Sequence, residues 1–275
     1  MVGQPLPLRK TRLTASLAVA LDALAVIAAL ALATWAASVA RRDASLVDRM
    51  WPVFIAAAAL VFWRSLPSVG ARGDVMLALA LAWAVRLCFY ITQRNWGHGE
   101  DRRYQAIRAR NEPGFAFKSL YLVFGLQAVL AWLVATPFLV GMTSRSAFGI
   151  VDAIGAAIVA FAIAFEAIGD FQMARFRADA ANRGAVMDRG LWRYTRHPNY
   201  FGEACVWWGL ALMALSGSGL AGAWCLVSPL LMTALLLRVS GVSLLEKDIV
   251  ERRPAYREYI ERTPAFFPGR PRARH

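Results

Sequence analysis

The chain has 275 residues, of which 58% are hydrophobic and only 18% are charged, and its formal net charge at pH 7 is +13. Soluble domains are usually about half apolar and about a quarter charged, so this composition argues against a soluble globular protein. The basic residues lie in short loops between long apolar blocks, which argues against nucleic-acid binding and favours an anionic membrane surface or an anionic ligand.

Seven apolar blocks follow one another along the chain, and a membrane-spanning helix needs about 20 such residues. Proline, glycine and charged residues separate the blocks, as expected of loops. The second block is short, which predicts a tilted or partly embedded helix. This pattern predicts an all-α, polytopic membrane bundle of about seven transmembrane helices, forming one domain over residues 1–275. The blocks cover approximately residues 13–39, 51–63, 75–92, 120–142, 148–168, 200–215 and 223–242.

Most lysine and arginine residues fall in the first, third and fifth loops and in the C-terminal tail. Loops rich in these residues stay in the cytoplasm, so the N-terminus is predicted to lie outside and the C-terminus inside. The basic tail from Lys247 onward is predicted to lie against anionic lipid headgroups. Three scattered histidines, and three cysteines without a CxxC pair, predict no metal site.

Several ionisable residues lie within the apolar blocks or at their cytoplasmic ends. Such residues are costly in lipid and mark functional sites by default. Arginines can extend their charge to the interface singly, but carboxylates do so poorly, so the acidic members are expected to share a polar pocket. The alternative is that the positive-inside rule accounts for the basic residues and no pocket exists. The residues concerned are Arg86, Glu166, Asp170, Glu203 and Arg238.

The densest polar stretch is RHPNYFGE, residues 196–203. Pro198 fits the first turn of a helix and biases His197 away from helical geometry. Asn199 and Glu203 are four residues apart, so they share one helix face. Free N–H groups at the helix start can bind an anion. The stretch therefore predicts a site for a ligand with phosphates and ribose hydroxyls, or else a juxtamembrane turn with incidental charges.

The RHPNYFGE segment resembles the signature of the steroid 5α-reductase-like family of membrane reductases, in its bacterial branch. The resemblance runs from about residue 75 to 268, is weak over residues 1–70, and leaves residues 269–275 as a basic tail. Further matching features are Arg94-Asn95 with Gly99–Tyr104, the spacing of Asp170 and Arg177, Arg238, and the tail from Glu246 to Pro268.

This resemblance implies a seven-helix bundle in the bacterial inner membrane, with an NADPH site facing the cytoplasm and a substrate cavity open to lipid. It implies that Asn199 and Glu203 contact the nicotinamide end, and that Asp170, Arg177 and Arg238 contact ribose and phosphates. The other cofactor contacts that it implies are Arg86, Arg94, Tyr194, His197, Tyr200 and Glu246.

The implied reaction is NADPH-dependent reduction of a C=C bond conjugated to a carbonyl. The substrate is expected to be a lipophilic, steroid-like or isoprenoid molecule that enters a monomeric protein from the bilayer, among membrane lipids. Steroid-reducing relatives use a polar and acidic pair early in the second span and a tyrosine in the third. The nearest acid to that pair is Asp48, and Tyr90 lies two turns beyond the position of the tyrosine. Asp48 or Tyr90 is therefore the predicted proton donor.

Two other functions remain open at this point. Isoprenylcysteine carboxyl and phospholipid methyltransferases, which use S-adenosylmethionine, resemble the chain through the same Arg-His-Pro-x-Tyr-x-Gly core and a C-terminal acid. The Asp170–Arg177 spacing favours the reductase over these enzymes. The chain could also be a non-catalytic lipid-binding protein. Tyr256 and Tyr259 either line the cofactor or lie at the headgroups.

Overall fold

The computed structural model describes residues 8–239, 246 and 249–272, and these residues form helices and loops without a β-strand. The chain falls into two compact units. The first unit comprises Met1–Asp152 and Met213–Cys225, and the second comprises Ala153–Leu212 and Leu226–His275. Residues 240–242 of the predicted seventh span, Lys247 and the last three residues of the basic tail lie outside the described residues.

We number the helices in chain order. They are α1 Leu8–Arg41, α2 Leu46–Ser65, α3 Ala71–Arg94, α4 Arg102–Asn111, α5 Phe115–Thr143, α6 Ile150–Ala178, α7 Pro198–Ser218, α8 Val227–Ala234, α9 Ile249–Arg252 and α10 Tyr256–Arg262.

Among the described residues, six helical runs are long and apolar enough to cross a membrane, and the prediction of a polytopic helical membrane bundle is confirmed. Five of them belong to α1, α2, α3, α5 and α6, and the sixth is the run Pro198–Arg238. Which end of each helix faces the cytoplasm stays a prediction.

The sixth run contains both the sixth and the seventh predicted spans. As a straight helix its 41 residues would be about 60 Å long, about twice the thickness of the hydrocarbon core. Instead, Gly219 adopts a φ of 57°, which interrupts the helix after α7. The indole Nε1 of Trp208 then donates a hydrogen bond of 3.2 Å to Thr233 Oγ1 on α8. The two halves therefore lie side by side as a helical hairpin.

The first unit is held together by aromatic side chains between α2, α3 and α5. Phe54 and Phe62 of α2, Trp83 of α3 and Phe124 of α5 are almost completely buried. A Cβ atom on Gly141 of α5 would lie 2.4 Å from the Met76 sulfur on α3, so only glycine permits this approach. Small residues at helix contacts are typical of membrane bundles.

In the second unit, two glycines on one face of α7 allow α6 to approach closely. A Cβ atom on Gly209 would lie 2.7 Å from Val159 Cγ2, and one on Gly202 would lie 2.4 Å from Glu166 Cγ. Gly202 and Gly209 are seven residues apart, which is close to two helical turns. This contact fixes the position of Glu166 relative to the RHPNYFGE segment.

Candidate functional site

The contact between α6 and α7 buries three carboxylates of the second unit. The exposed fractions are 1% for Glu166, 4% for Asp170 and 7% for Glu203. Glu166 and Asp170 are one helical turn apart on α6, and the Glu203 carboxylate accepts a hydrogen bond of 2.9 Å from the Trp207 indole Nε1. Buried acids on membrane helices are expensive, so this acidic stretch is the strongest functional candidate in the unit.

The start of α7 places the polar residues of the RHPNYFGE segment beside these acids. The helix begins at Pro198, as predicted from the sequence. A Cβ atom on Gly169 of α6 would lie 3.3 Å from the Pro198 ring, so the two helices are close here as well. Asn199 is half-buried, and within the described part of the chain its side-chain amide makes no hydrogen bond. Asn199 and Glu203 therefore present an amide and a carboxylate on one face of α7.

Arg196, His197 and Glu246 form one ionic cluster just before α7. The Arg196 guanidinium binds both carboxylate oxygens of Glu246, with Nε–Oε1 and Nη2–Oε2 distances of 2.7 Å and 2.8 Å. His197 Nε2 lies 2.9 Å from the same Oε1, and the imidazole stacks on the Tyr200 ring. Burial acts to raise the pKa of Glu246, but the hydrogen bonds from His197 and Arg196 outweigh it and lower this pKa to about 2.

The same cluster attaches the C-terminal segment to the loop before α7. Arg196 Nη1 donates to the carbonyl oxygens of Ile260 and Thr263, at 3.1 Å and 2.5 Å. The backbone N–H of Arg196 donates to the Pro264 carbonyl at 2.9 Å. Arg196 is thus bound to protein groups on all sides, a role that is not evident from the sequence. Its guanidinium positions Glu246 and is not available to a ligand phosphate.

The aromatic and basic residues predicted to contact the cofactor differ widely in exposure. Arg177, near the end of α6, and Arg238, after α8, are exposed, and so is Tyr194. Tyr259 is buried, and its hydroxyl donates to the Trp192 carbonyl. Burial raises the pKa of Tyr259. The exposed arginines are therefore accessible from outside the unit, whereas the Tyr259 hydroxyl is used in packing.

The remaining predicted site residues belong to the first unit. Asp48 lies near the start of α2 and accepts hydrogen bonds from the Tyr104 hydroxyl at 2.6 Å and from Arg103 Nη2 at 2.7 Å. Gln127 Nε2 lies 3.0 Å from the Tyr104 oxygen. Tyr104 was not recognised from the sequence as a candidate. Its pKa is raised well above the usual value, by burial and by the nearby Asp48 carboxylate, so it carries a proton at neutral pH.

Three more predicted site residues follow one another along the C-terminal half of α3. Arg86 and Tyr90 are half-buried and four residues apart, which places them on one helix face. The guanidinium carbon of Arg94 lies 5.7 Å from the centre of the Tyr90 ring, and Arg94 itself is exposed. This helix face therefore offers a phenol and two cations.

Comparison with known proteins gives a family and a distant relative. Residues 34–263 match a family described as "Protein of unknown function (DUF1295)". The chain is 26% identical over 261 residues to "Uncharacterized protein C594.04c" of Schizosaccharomyces pombe, which covers 85% of this chain and 75% of that protein. No solved structure matches the chain.

Proposed function

The chain belongs to the DUF1295 family, and we propose that it is an NADPH-dependent membrane reductase. The substrate class that we propose is a lipophilic, steroid-like or isoprenoid molecule with a C=C bond conjugated to a carbonyl. The proposal extends the likeness of the RHPNYFGE segment to the steroid 5α-reductase-like family.

The observation that carries the proposal is the burial of Glu166, Asp170 and Glu203 against the start of α7. Membrane-spanning helices rarely keep three acids buried to this extent without a functional reason. Carboxylates accept hydrogen bonds from ribose hydroxyls and from a carboxamide, and the Asn199 amide can both donate and accept. This donor and acceptor set fits the nicotinamide riboside part of a dinucleotide.

The exposed arginines complement these acids. Arg177 and Arg238 of the second unit would bind the phosphates, because guanidinium groups form paired hydrogen bonds to phosphate oxygens. The excess of arginine over carboxylate favours a cofactor with a 2′-phosphate. When bound, NADPH would supply the hydride, and the bundle would hold the substrate in reacting geometry and exclude water.

The proton that completes the reduction is assigned to the Asp48–Tyr104 pair. Asp48 accepts the hydrogen bond in this pair and Tyr104 holds the proton. For catalysis the Tyr104 hydroxyl, which has one proton, would turn from Asp48 to the developing enolate oxygen, stabilise it and donate that proton. The resulting tyrosinate would then regain a proton from water by way of Asp48. Tyr90 of α3 is the alternative donor.

One observation favours a second function, an S-adenosylmethionine-dependent methyltransferase. The Arg196–Glu246 ion pair and the His197 contact join the Arg-His-Pro core to a C-terminal acid. These are the two features through which the chain resembles membrane methyltransferases. The ionic cluster itself is compatible with either cofactor, but the Asp170–Arg177 spacing favours the dinucleotide.

Ligand-dependent thermal stabilisation of the purified full chain separates these functions. NADPH should raise the unfolding midpoint, and S-adenosylmethionine should not. Stabilisation by S-adenosylmethionine alone would support the methyltransferase, and stabilisation by neither would support a non-catalytic lipid-binding protein.

Two variants test the residues that would bind NADPH. Asn199→Ala and Glu203→Gln should unfold near the wild-type midpoint without ligand but lose the NADPH-dependent rise. Gln at position 203 retains an acceptor for the Trp207 indole, so folding should be preserved. Asn182→Ala and Glu261→Gln are matched controls in the second unit and should keep the rise. An unchanged rise in both test variants would remove the proposed contacts.

A further inference from the structure

A basic cavity of about 570 Å³ lies within the second unit, between the loop before α7 and the C-terminal segment. Its lining is unusually rich in guanidinium groups and includes one acid. The lining residues are Asp188, Arg189, Gly190, Arg193, Arg262, Thr263, Pro271 and Arg272. None of them belongs to the residues proposed above to bind NADPH.

The positive charge of this cavity is only partly neutralised. Arg262 pairs with Asp188 at 2.5 Å. Over residues 8–239, 246 and 249–272, the guanidinium groups of Arg189, Arg193 and Arg272 make neither an ion pair nor a hydrogen bond. Three uncompensated cations around one cavity repel each other, and the attraction of each to an anion inside the cavity would offset that repulsion.

The walls of the cavity are fixed by hydrogen bonds between its two sides and within the C-terminal segment. The Tyr259 hydroxyl donates to the Trp192 carbonyl, and the Gly269 N–H donates to the Tyr194 carbonyl at 2.9 Å. The Arg272 N–H donates to the Arg262 carbonyl at 2.9 Å. Because the backbone is held from both directions, a ligand would not have to order it, and binding loses little entropy.

We propose that this cavity binds a phosphate-bearing anion. Arginine suits phosphate because its planar fork donates two parallel hydrogen bonds to phosphate oxygens. The loop on one side of the cavity connects two candidate membrane-spanning runs, so phosphates of lipid headgroups as well as soluble phosphates are expected near it. The phosphate can therefore belong to an anionic lipid headgroup or to a soluble phosphate compound. This inference does not depend on the reductase assignment.

The test uses the full chain in nanodiscs and measures the thermal unfolding midpoint. The probes are inorganic phosphate at constant ionic strength in phosphatidylcholine discs, and phosphatidylglycerol discs without phosphate. The test variants are Arg189→Gln, Arg193→Gln and the double variant. Arg270→Gln is the matched control, because Arg270 is exposed in the same C-terminal segment but does not line the cavity.

The wild-type chain and Arg270→Gln should be stabilised by at least one probe, and the double variant should lose that effect. Each single variant should raise the apparent dissociation constant of the bound probe about tenfold, since each removes a charge-assisted contact. Stabilisation by phosphate would identify a soluble source, and stabilisation by phosphatidylglycerol alone would identify a lipid headgroup. If the double variant does not fold, the single variants supply the comparison. No stabilisation by either probe, or equal stabilisation in the test variants, would overturn the proposal.

Discussion

Two arginines, one in each unit, bind a carboxylate through two guanidinium nitrogens, but the surroundings of the two pairs differ. In the first unit, Arg72 Nε and Nη2 bind the two oxygens of Asp152 at 2.7 Å and 2.9 Å, with side-chain exposures of 3% and 0%. In the second unit, Arg196 binds Glu246, whose side chain remains 16% exposed and also contacts His197. The first pair is a closed structural contact. The second joins the C-terminal segment to the segment where ligand binding is proposed.

The neighbours of Arg72 support its structural role. Its Nη groups also donate to the carbonyl oxygens of Ser146 and Ala147, and Asp152 accepts from the Gly149 N–H at 2.9 Å. A Cβ atom on Gly217 would lie 2.3 Å from Arg72 Nη1, so only glycine permits this close approach, and Arg72 is buried. Buried pairs of this kind contribute little relative to an apolar pair but cost much when one partner is removed.

The largest expected effect follows from Arg72→Ala, which leaves the Asp152 carboxylate buried without its cation. The free energy of unfolding should fall by about 3–5 kcal/mol, measured by denaturant titration in detergent or bicelles. Arg64→Ala, an exposed arginine of the same unit, is the control and should change it by less than about 0.5 kcal/mol. Equal losses in the two variants would break the contrast between the pairs.

The next effect concerns pH and distinguishes Glu246. Its pKa is lowered from 4.5 to about 2 in the folded protein, so its stabilising effect is present above the unfolded pKa. That effect should disappear as the pH falls from about 4.5 to 2, and it amounts to about 3 kcal/mol. Unfolding midpoints measured against pH should fall for the wild type and remain flatter for Glu246→Gln. Parallel curves would show that the ionic cluster does not stabilise the fold.

A smaller stability effect is expected for Tyr104→Phe, which removes the hydroxyl bound to Asp48. The free energy of unfolding should fall by about 1 kcal/mol. If Tyr104 donates the proton, the rate of enone reduction should fall about a hundredfold while NADPH binding is retained. Tyr121→Phe, at an exposed position of the same unit, should retain the wild-type rate. An undiminished rate in Tyr104→Phe would assign the proton to another group.

The smallest effect is expected at the partly exposed pair between Arg262 and Asp188. Solvent screens this contact, so Asp188→Asn should lower the free energy of unfolding by less than about 1 kcal/mol. It should instead strengthen phosphate binding to the basic cavity, because it removes the only acid among the described residues that line the cavity. A thermal unfolding series at increasing phosphate concentration measures both effects.

Hydropathy predicted the membrane-spanning segments well because each span is a continuous apolar stretch, which the local sequence shows directly. The helix start at Pro198 was also predictable, since proline restricts its own backbone and that of its neighbour. The ion pairs and hydrogen-bonded pairs within the two units were not predictable from the sequence. Arg72 and Asp152 are 80 residues apart, Arg196 and Glu246 are 50 apart, and Tyr104 and Asp48 are 56 apart. Such pairs depend on tertiary packing, which a single sequence does not specify.

Sequence patterns nevertheless located the acidic stretch of the second unit, because carboxylates inside apolar blocks are conspicuous. They could not indicate which basic residues are bound to protein groups and which are exposed. Arg196 lies in the RHPNYFGE segment, but its guanidinium is hydrogen-bonded to Glu246 and to backbone carbonyls, whereas Arg177 and Arg238 are exposed. This difference arises from long-range hydrogen bonding.

The most direct measurement is an experimental structure of the full chain with NADPH. The nicotinamide end should lie against Asn199 and Glu203, with the phosphates near Arg177 and Arg238 and the Arg196–Glu246 pair intact. A dinucleotide bound away from the face shared by Asn199 and Glu203, or no bound dinucleotide at saturating NADPH, would contradict the proposed reductase.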